Sequence, residues 1–275
     1  MNAPYELPPG YTLRVTTSSG DITVIAEERD DVEAPEDARV EARSGEEQTE
    51  ERPRKRHHGK KRPLKFLRRL VKQAVRGDIL YGGRSPGPVL QIRSPRGGSR
   101  DLEVRCPAGT PVSVGTISGD VRLQGDLGPA TVTTTSGDVS VDRAAALDAR
   151  SISGDLEVDC CSGLCRLITK SGHIEASDTG PAEADTVSGY VRLGRTAGGV
   201  TVRTVSGSVE LGTDGTEPVN VRTISGGITV KVPKERLPAA KLRSLSGKIN
   251  CGCLQGSDFP LQVTSVSGKI EVESE

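Results

Sequence analysis

From residue 112 onward, aliphatic residues recur every second position in short runs that each end at a Ser-Gly pair. Aligned on that glycine, the position two after it reads Val121, Val139, Leu156, Ile174, Val191, Val209, Ile228, Ile249 and Ile270. Four after it stand Leu123, Val141, Val158, Ala176, Leu193, Leu211, Val230, Cys251 and Val272, and five before it Val114 through Val263 are apolar as well. A period of two between Gly and Pro punctuation predicts short strands with one face inward. Three before the glycine is always Thr or Ser, and one before is always Ser. The same parity predicts two hydroxyl columns inside the corner, able to hydrogen-bond along the stack.

The glycines themselves are spaced regularly. Gly119, Gly137, Gly154, Gly172, Gly189, Gly207, Gly226, Gly247 and Gly268 lie 18, 17, 18, 17, 18, 19, 21 and 21 residues apart, and Gly20 heads a matching run from Leu13 to Val24. A repeat this short cannot hold a βαβ unit of ~30 residues. It predicts an all-β fold, a β-solenoid of coils of about 17–21 residues in which each glycine marks a corner. One coil buries too little to stand alone, so stability comes from stacking.

The serial Ser-Gly-Asp-Val coils and the stretch Asp101-Leu102-Glu103-Val104-Arg105-Cys106-Pro107-Ala108-Gly109-Thr110-Pro111-Val112 resemble the bacterial "putative adhesin" family, a repeat domain of unknown function. The resemblance covers roughly residues 11–25 and 90–275. It implies a β-solenoid with a repetitive surface and no known chemistry.

Composition divides the chain into three parts: 1–26, with the first coil; 27–89, an inserted arm; and 90–275, the main solenoid. Residues 27–51 carry twelve acids, whereas no acid occurs from Arg52 to Gly77. There Arg54, Lys55, Arg56, Lys60, Lys61, Arg62, Lys65, Arg68, Arg69, Lys72 and Arg76 accumulate, and Phe66 and Leu70 share an apolar face with Leu67, Val71, Ala74 and Val75. Pro63 before and Gly77 after bound a predicted helix over about 64–76. Such a face above basic residues suits an anionic lipid surface and is of no use to nucleic acid. The competing expectation is structural: the basic half pairs with the acidic half, or the helix caps the first coil through Phe66 and Leu70.

Overall charge adds no partner, since Lys+Arg and Asp+Glu both total 37. The residue after the glycine is Asp21, Asp120, Asp138 and Asp155, then His173 and Tyr190; a cation column is weighed against Asx capping of each corner, and the capping reading is preferred. Cys160, Cys161 and Cys165 are close enough in sequence to hold zinc or a disulfide, yet Cys165 and Cys251 occupy core phases and read as small apolar residues. With only His57, His58 and His173, none set beside a nucleophile and an acid, no catalytic, metal or cofactor site is expected, and the chain is not read as an enzyme. Two outer columns remain: Ile117, Ile152, Val187, Val205, Ile224, Leu245 and Val266 two before the glycine, and Arg150, Arg203, Arg222 and Arg243 four before it, the last three on consecutive coils. A continuous apolar stripe would be a contact surface.

These features predict a non-catalytic, adhesin-like binding or scaffolding module for a protein or cell-envelope partner. A self-assembling scaffold resembling bactofilins is the first alternative, and a carbohydrate-active β-helix enzyme the second. The last coil closes at Val272 with nothing after it to cover its edges, so self-association through the C-terminal end is expected. Residues 1–10 hold no basic and apolar leader, so the chain as it stands is expected in the cytoplasm, with peripheral membrane association through the arm.

Overall fold

The computed structural model describes residues 2–5, 10–43, 88–94, 100–253 and 256–275. Residues Arg54 to Arg76, with the predicted helix and anionic-surface contact, lie outside them. Among the described residues there are twenty-three strands and no helix.

Each coil holds two strands joined at a corner, one approaching the glycine and one leaving it. The approaching strands stack in parallel as β6 (Val89–Arg93), β2 (Thr12–Thr16), β8 (Val112–Gly115), then the last residues of β9 (Val121–Thr133) and β10 (Val139–Arg150), followed by β12 (Cys165–Ile168), β14 (Ala182–Ser188), β16 (Val200–Ser206) and β18 (Val219–Ser225). The leaving strands stack as β7 (Leu102–Pro107), β3 (Ile22–Glu27), the first residues of β9 and β10, then β11 (Leu156–Cys161), β13 (Ile174–Thr179), β15 (Val191–Thr196), β17 (Val209–Thr213) and β19 (Ile228–Val232). Between the two ladders lies one thin aliphatic core, with Leu13, Val24, Leu123, Val141, Leu167, Leu193, Val221 and Val263 all buried. The predicted phases at two and four after the glycine, and five before it, supply this core.

The stacking order departs from sequence order at both ends. After β19 the chain forms β20 (Ala239–Ser246) and β21 (Ile249–Cys251), yet β18 pairs with β22 (Pro260–Ser267) and β19 with β23 (Ile270–Ser274). The strands β20 and β21 pair with the other edges of β22 and β23. The C-terminal coil is thus inserted second from the end, and the expectation that it forms the open end is corrected. The two glycine spacings of 21 residues supply the extra chain for passing one coil outward and returning. At the N-terminal end, β2 and β3 likewise sit between the β6–β7 coil and the coil of β8.

The two ends are finished differently. Residues read from sequence as the start of the charged arm form β4 (Val32–Pro35) and β5 (Arg39–Arg43); β5 lies antiparallel on β6, β4 meets β7 at Glu33 and Arg105, and β1 (Asn2–Tyr5) pairs with β4. Val32, Ala34 and Ala38 cover the first coil, whose Leu90, Ile92, Leu102 and Val104 are buried. At the opposite end no described strand lies beyond β20 and β21. There Leu242 and Ala240 are half-buried, Cys251 is exposed and Ile249 is 42% exposed, whereas Leu102 in the same phase is 2% exposed.

The corner glycines explain themselves by geometry. A Cβ on Gly119 would stand 2.2 Å from the carbonyl oxygen of Gly20, one on Gly154 2.1 Å from that of Gly137, and one on Gly268 2.0 Å from that of Gly226. The backbone of Gly154 also has φ of 154°, at the edge of the range that side chains avoid. In every such case the clash is with the neighbour on the N-terminal side. On that side the β6–β7 coil meets β4 and β5 and not another described Ser-Gly corner, and in its own corner the glycine position is filled by Arg100, against whose carbonyl Gly20 packs. Arg100-Asp101 therefore takes the place of Gly-Asp, a corner that alignment on the repeated glycines does not reveal.

Candidate interaction surface

The residue after each glycine forms a ladder of its own. The Oδ1 of Asp101 accepts the Asp21 backbone N–H at 2.9 Å, Asp21 accepts from Asp120 at 3.0 Å, Asp120 from Asp138 at 3.0 Å, Asp138 from Asp155 at 2.9 Å, and Asp155 from His173 at 2.7 Å. Each carboxylate thus caps the next coil's corner and not its own, which corrects the Asx-turn expectation while keeping its structural sense. The Asp120 N–H and the Arg122 guanidinium hold the Asp21 carboxyl below its ordinary value. His173 ends the series: its Nδ1 accepts the Tyr190 N–H at 3.2 Å, and the two rings stack with centroids 4.0 Å apart. The Tyr190 hydroxyl donates to Glu175 at 3.3 Å. Beside it, a shallow hollow of about 340 Å³ runs between Tyr190, Arg192, Glu210 and Thr229.

Only one of the two predicted hydroxyl columns is internal. Thr116, Thr134, Ser151, Thr169, Thr186, Thr204, Thr223 and Ser265 are buried, but the Ser before each glycine is exposed from Ser118 onward, because the chain turns there and breaks the alternation. Three of these inner hydroxyls donate to corner carbonyls, Thr169 to Gly154 at 3.4 Å and Thr186 and Thr223 to Ser188 and Ser225 at 3.2 Å, whereas those of Thr116, Thr134, Ser151, Thr204 and Ser265 have no hydrogen-bond partner among the described residues.

The cysteines divide in two. Cys161 and Cys165 are fully buried and hydrogen-bonded to each other; that bond and burial raise the Cys165 thiol, which stays protonated. Cys251 occupies a core phase but is exposed, because its coil ends the stack, and its sulfur lies 3.1 Å from that of Cys253. No three potential metal ligands cluster among the described residues.

The outer apolar column becomes a stripe in the last five coils. In earlier coils the approaching strand stops four residues before the glycine, at Thr133, Arg150 and Ile168, and Ile117 and Ile152 are half-buried. From β14 onward the strand continues to the serine, at Ser188, Ser206, Ser225, Ser267 and Ser246, so strict alternation turns the residue before that serine outward. Val187, Val205, Ile224, Val266 and Leu245 follow one another along the stack, 48%, 43%, 52%, 44% and 85% exposed. Four steps of ~4.8 Å make a stripe ~19 Å long.

Two residues away on the same face stand Asp185, Arg203, Arg222, Thr264 and Arg243, aligned by the same ladder. The sequence expectation of Arg203, Arg222 and Arg243 on consecutive coils is corrected, because the inserted β22 puts Thr264 between the last two. Arg203 meets Glu183 at 3.1 Å and Asp185 at 3.4 Å. Glu183 is held mainly by Arg166, at 2.6 Å, which lowers its carboxyl below the ordinary range. Glu210, on the leaving strand, pairs with Arg192 and Lys231. Among the described residues Arg222 and Arg243 have no acidic partner. An apolar strip flanked by unpaired guanidinium groups can take up an apolar ridge bordered by carboxylates.

Residues 101–217 match the family model described as Toastrack DUF4097. The match covers the coils from Asp101 through β17, so this part of the chain is similar to Toastrack repeat domains, in keeping with its β-solenoid fold and with the resemblance carried by the Ser-Gly-Asp-Val coils. No curated protein matches the sequence. A crystal structure of a "putative cell adhesion protein" from Clostridium sporogenes is 10% identical, with 100% of this chain and 99% of that one covered, at a TM-score of 0.25. A likeness so distant informs neither the fold nor the function of this chain.

Proposed function

We propose that this protein is a non-catalytic, adhesin-like binding scaffold that holds a protein or cell-envelope partner along the flank of a rigid solenoid. The observation that carries the reading is the stripe of Val187, Val205, Ile224, Val266 and Leu245 on five successive coils, with Arg222 and Arg243 beside it. Scattered exposed apolar residues are ordinary on a soluble surface, whereas a row in register is a contact surface. The corner ladder of the preceding coils supports it in a second way. There His173, Asp120, Asp138 and Asp155, which could serve chemistry, are committed to backbone hydrogen bonds.

Binding of the purified chain to bacterial envelope fragments tests this, comparing the native protein with a Val205→Asp, Ile224→Asp variant that alters exposed side chains alone. Saturable binding weakened at least tenfold in the variant is the expected result. Equal binding by both would put the contact elsewhere, and no saturable binding by either would overturn the reading.

A further inference from the structure

The bare end is a second, independent surface. In β20 the Ala239 N–H donates to the Phe259 carbonyl at 2.8 Å, which sets the parity of the strand up to Ser244; the turn into the corner then brings the Ser246 carbonyl back toward β22, where it accepts from Gly268 at 3.1 Å. Parallel ladders turn alternate residues to opposite sides, so the N–H and C=O of Ala240, Leu242 and Ser244 face away from β22. On β21 the Lys248 carbonyl accepts from Ile270, so the main chain of Ile249 and Cys251 is turned outward in the same way. Next to these groups lie the core-phase side chains of Leu242, half-buried, and Ile249 and Cys251, exposed, with no described strand over them. A long strand edge with an apolar row behind it is a template for another strand.

The molecule itself shows what covers such an edge. At its other end antiparallel strands, β5 on β6 and β4 on β7, close both ladders and bury the core. We infer that a second copy of this chain closes the bare end, with its own β20 and β21 antiparallel to the first copy's about a two-fold axis. Antiparallel partners must show the same face, and like charges must not oppose. Placing Ser244 opposite Ser244 of the second copy satisfies both: Arg243 then faces Leu245 of the second copy, and Lys241 faces its Gly247. Leu245, the most exposed of the aliphatic stripe, is covered in this register. The two stripes meet end to end, offset by two residues.

One bare end and one covered end give a closed pair, not a filament, because the interface is isologous and used up in the dimer. The inference goes beyond the proposed function and does not depend on the stripe's partner. Sedimentation of the intact chain across a concentration series is the test, with Ile249→Lys as the edge variant. That position is already 42% exposed, so a lysine there is compatible with the fold. The expected result is a monomer that converts to a dimer and stops, with Ile249→Lys at least tenfold weaker and Val187→Asp, four coils down the stripe, unchanged. A monomer at all concentrations, growth past the dimer, or equal weakening by Val187→Asp would each overturn it.

Discussion

The first and last coils of the solenoid are built from the same phases and meet opposite fates. Leu102 and Ile249 both stand two residues after the corner, and the first is buried under β4 and β5 while the second faces solvent. The difference is not one of composition. It comes from about a dozen residues, 32–43, that fold back over one end, with nothing equivalent at the other among the described residues. Each terminal segment is tied in by the same device, since the outermost coil in space is never the outermost in sequence. A coil held between two neighbours has both strand edges paired, so the chain secures its termini and leaves its penultimate coil to face the outside.

The sharpest way to break this comparison is one substitution made in three coils. Ile92, Val263 and Leu242 share the phase five before the corner. Ile92→Asp and Val263→Asp bury an unpaired carboxylate and should each cost about 4 kcal/mol or more, whereas Leu242→Asp at the bare end should cost about 1 kcal/mol. Denaturant melts would measure all three. Equal losses for Leu242 and Val263 would mean that a further element covers β20.

A somewhat smaller effect tests the polarity of the corners. The Cβ of Gly247→Val would stand 2.0 Å from the Gly268 carbonyl even though its coil ends the stack, while Arg100 in the equivalent place already carries a side chain. Gly247→Val and Gly154→Val should each lower stability by about 3 kcal/mol, and Arg100→Val should be close to neutral. Asp155→Ala, which removes one acceptor from the His173 N–H, should cost about 1 kcal/mol. Gly227 has open space where its Cβ would be, so Gly227→Ala should cost less than any of these in the same thermal melts.

The smallest effect is electrostatic and belongs to the flank between the ends. Because Arg166 lowers the Glu183 carboxyl in the fold, the pair contributes stability above the ordinary glutamate value of 4.5 and loses it as pH falls through the lower folded value. Arg166→Ala should flatten that part of the stability–pH curve, by well under 1 kcal/mol at these partly exposed side chains. An unchanged acid limb would show that the pair contributes nothing.

Much of this fold was legible because alternation and Gly spacing report the same geometry. Val121 to Ile270 and Leu123 to Val272 fall in the core as the period of two requires, except Ile249 and Cys251 in the coil that ends the stack. The exposed stripe also follows from parity, although parity does not say that the strands run straight to the serine only from β14 onward. What the period does not encode is order along the axis. Coils with one pattern fit any neighbour, so the insertion of β22 and β23 left a single trace, the lengthening of the last two spacings to 21 residues. The cap was hidden for a different reason: Val32, Ala34 and Ala38 sit among acids whose charge suggests an arm, and antiparallel pairing on the first coil needs no Ser-Gly corner. Arg100 was missed because only an end coil can replace the glycine.

Backbone hydrogen exchange followed by mass spectrometry tests the central claim, that coil order and coverage differ from sequence order, most directly. At low concentration, with the Ile249→Lys variant keeping the chain single, peptides from 260–274 should exchange as slowly as those from 219–232, although they lie at the C-terminus. Peptides from 239–251 should exchange fastest of the solenoid, and those from 89–93 and 102–107 should be protected beneath β4 and β5. Slow exchange in 239–251 together with fast exchange in 260–274 would mean that the coils stack in the order of the sequence, and would contradict the account.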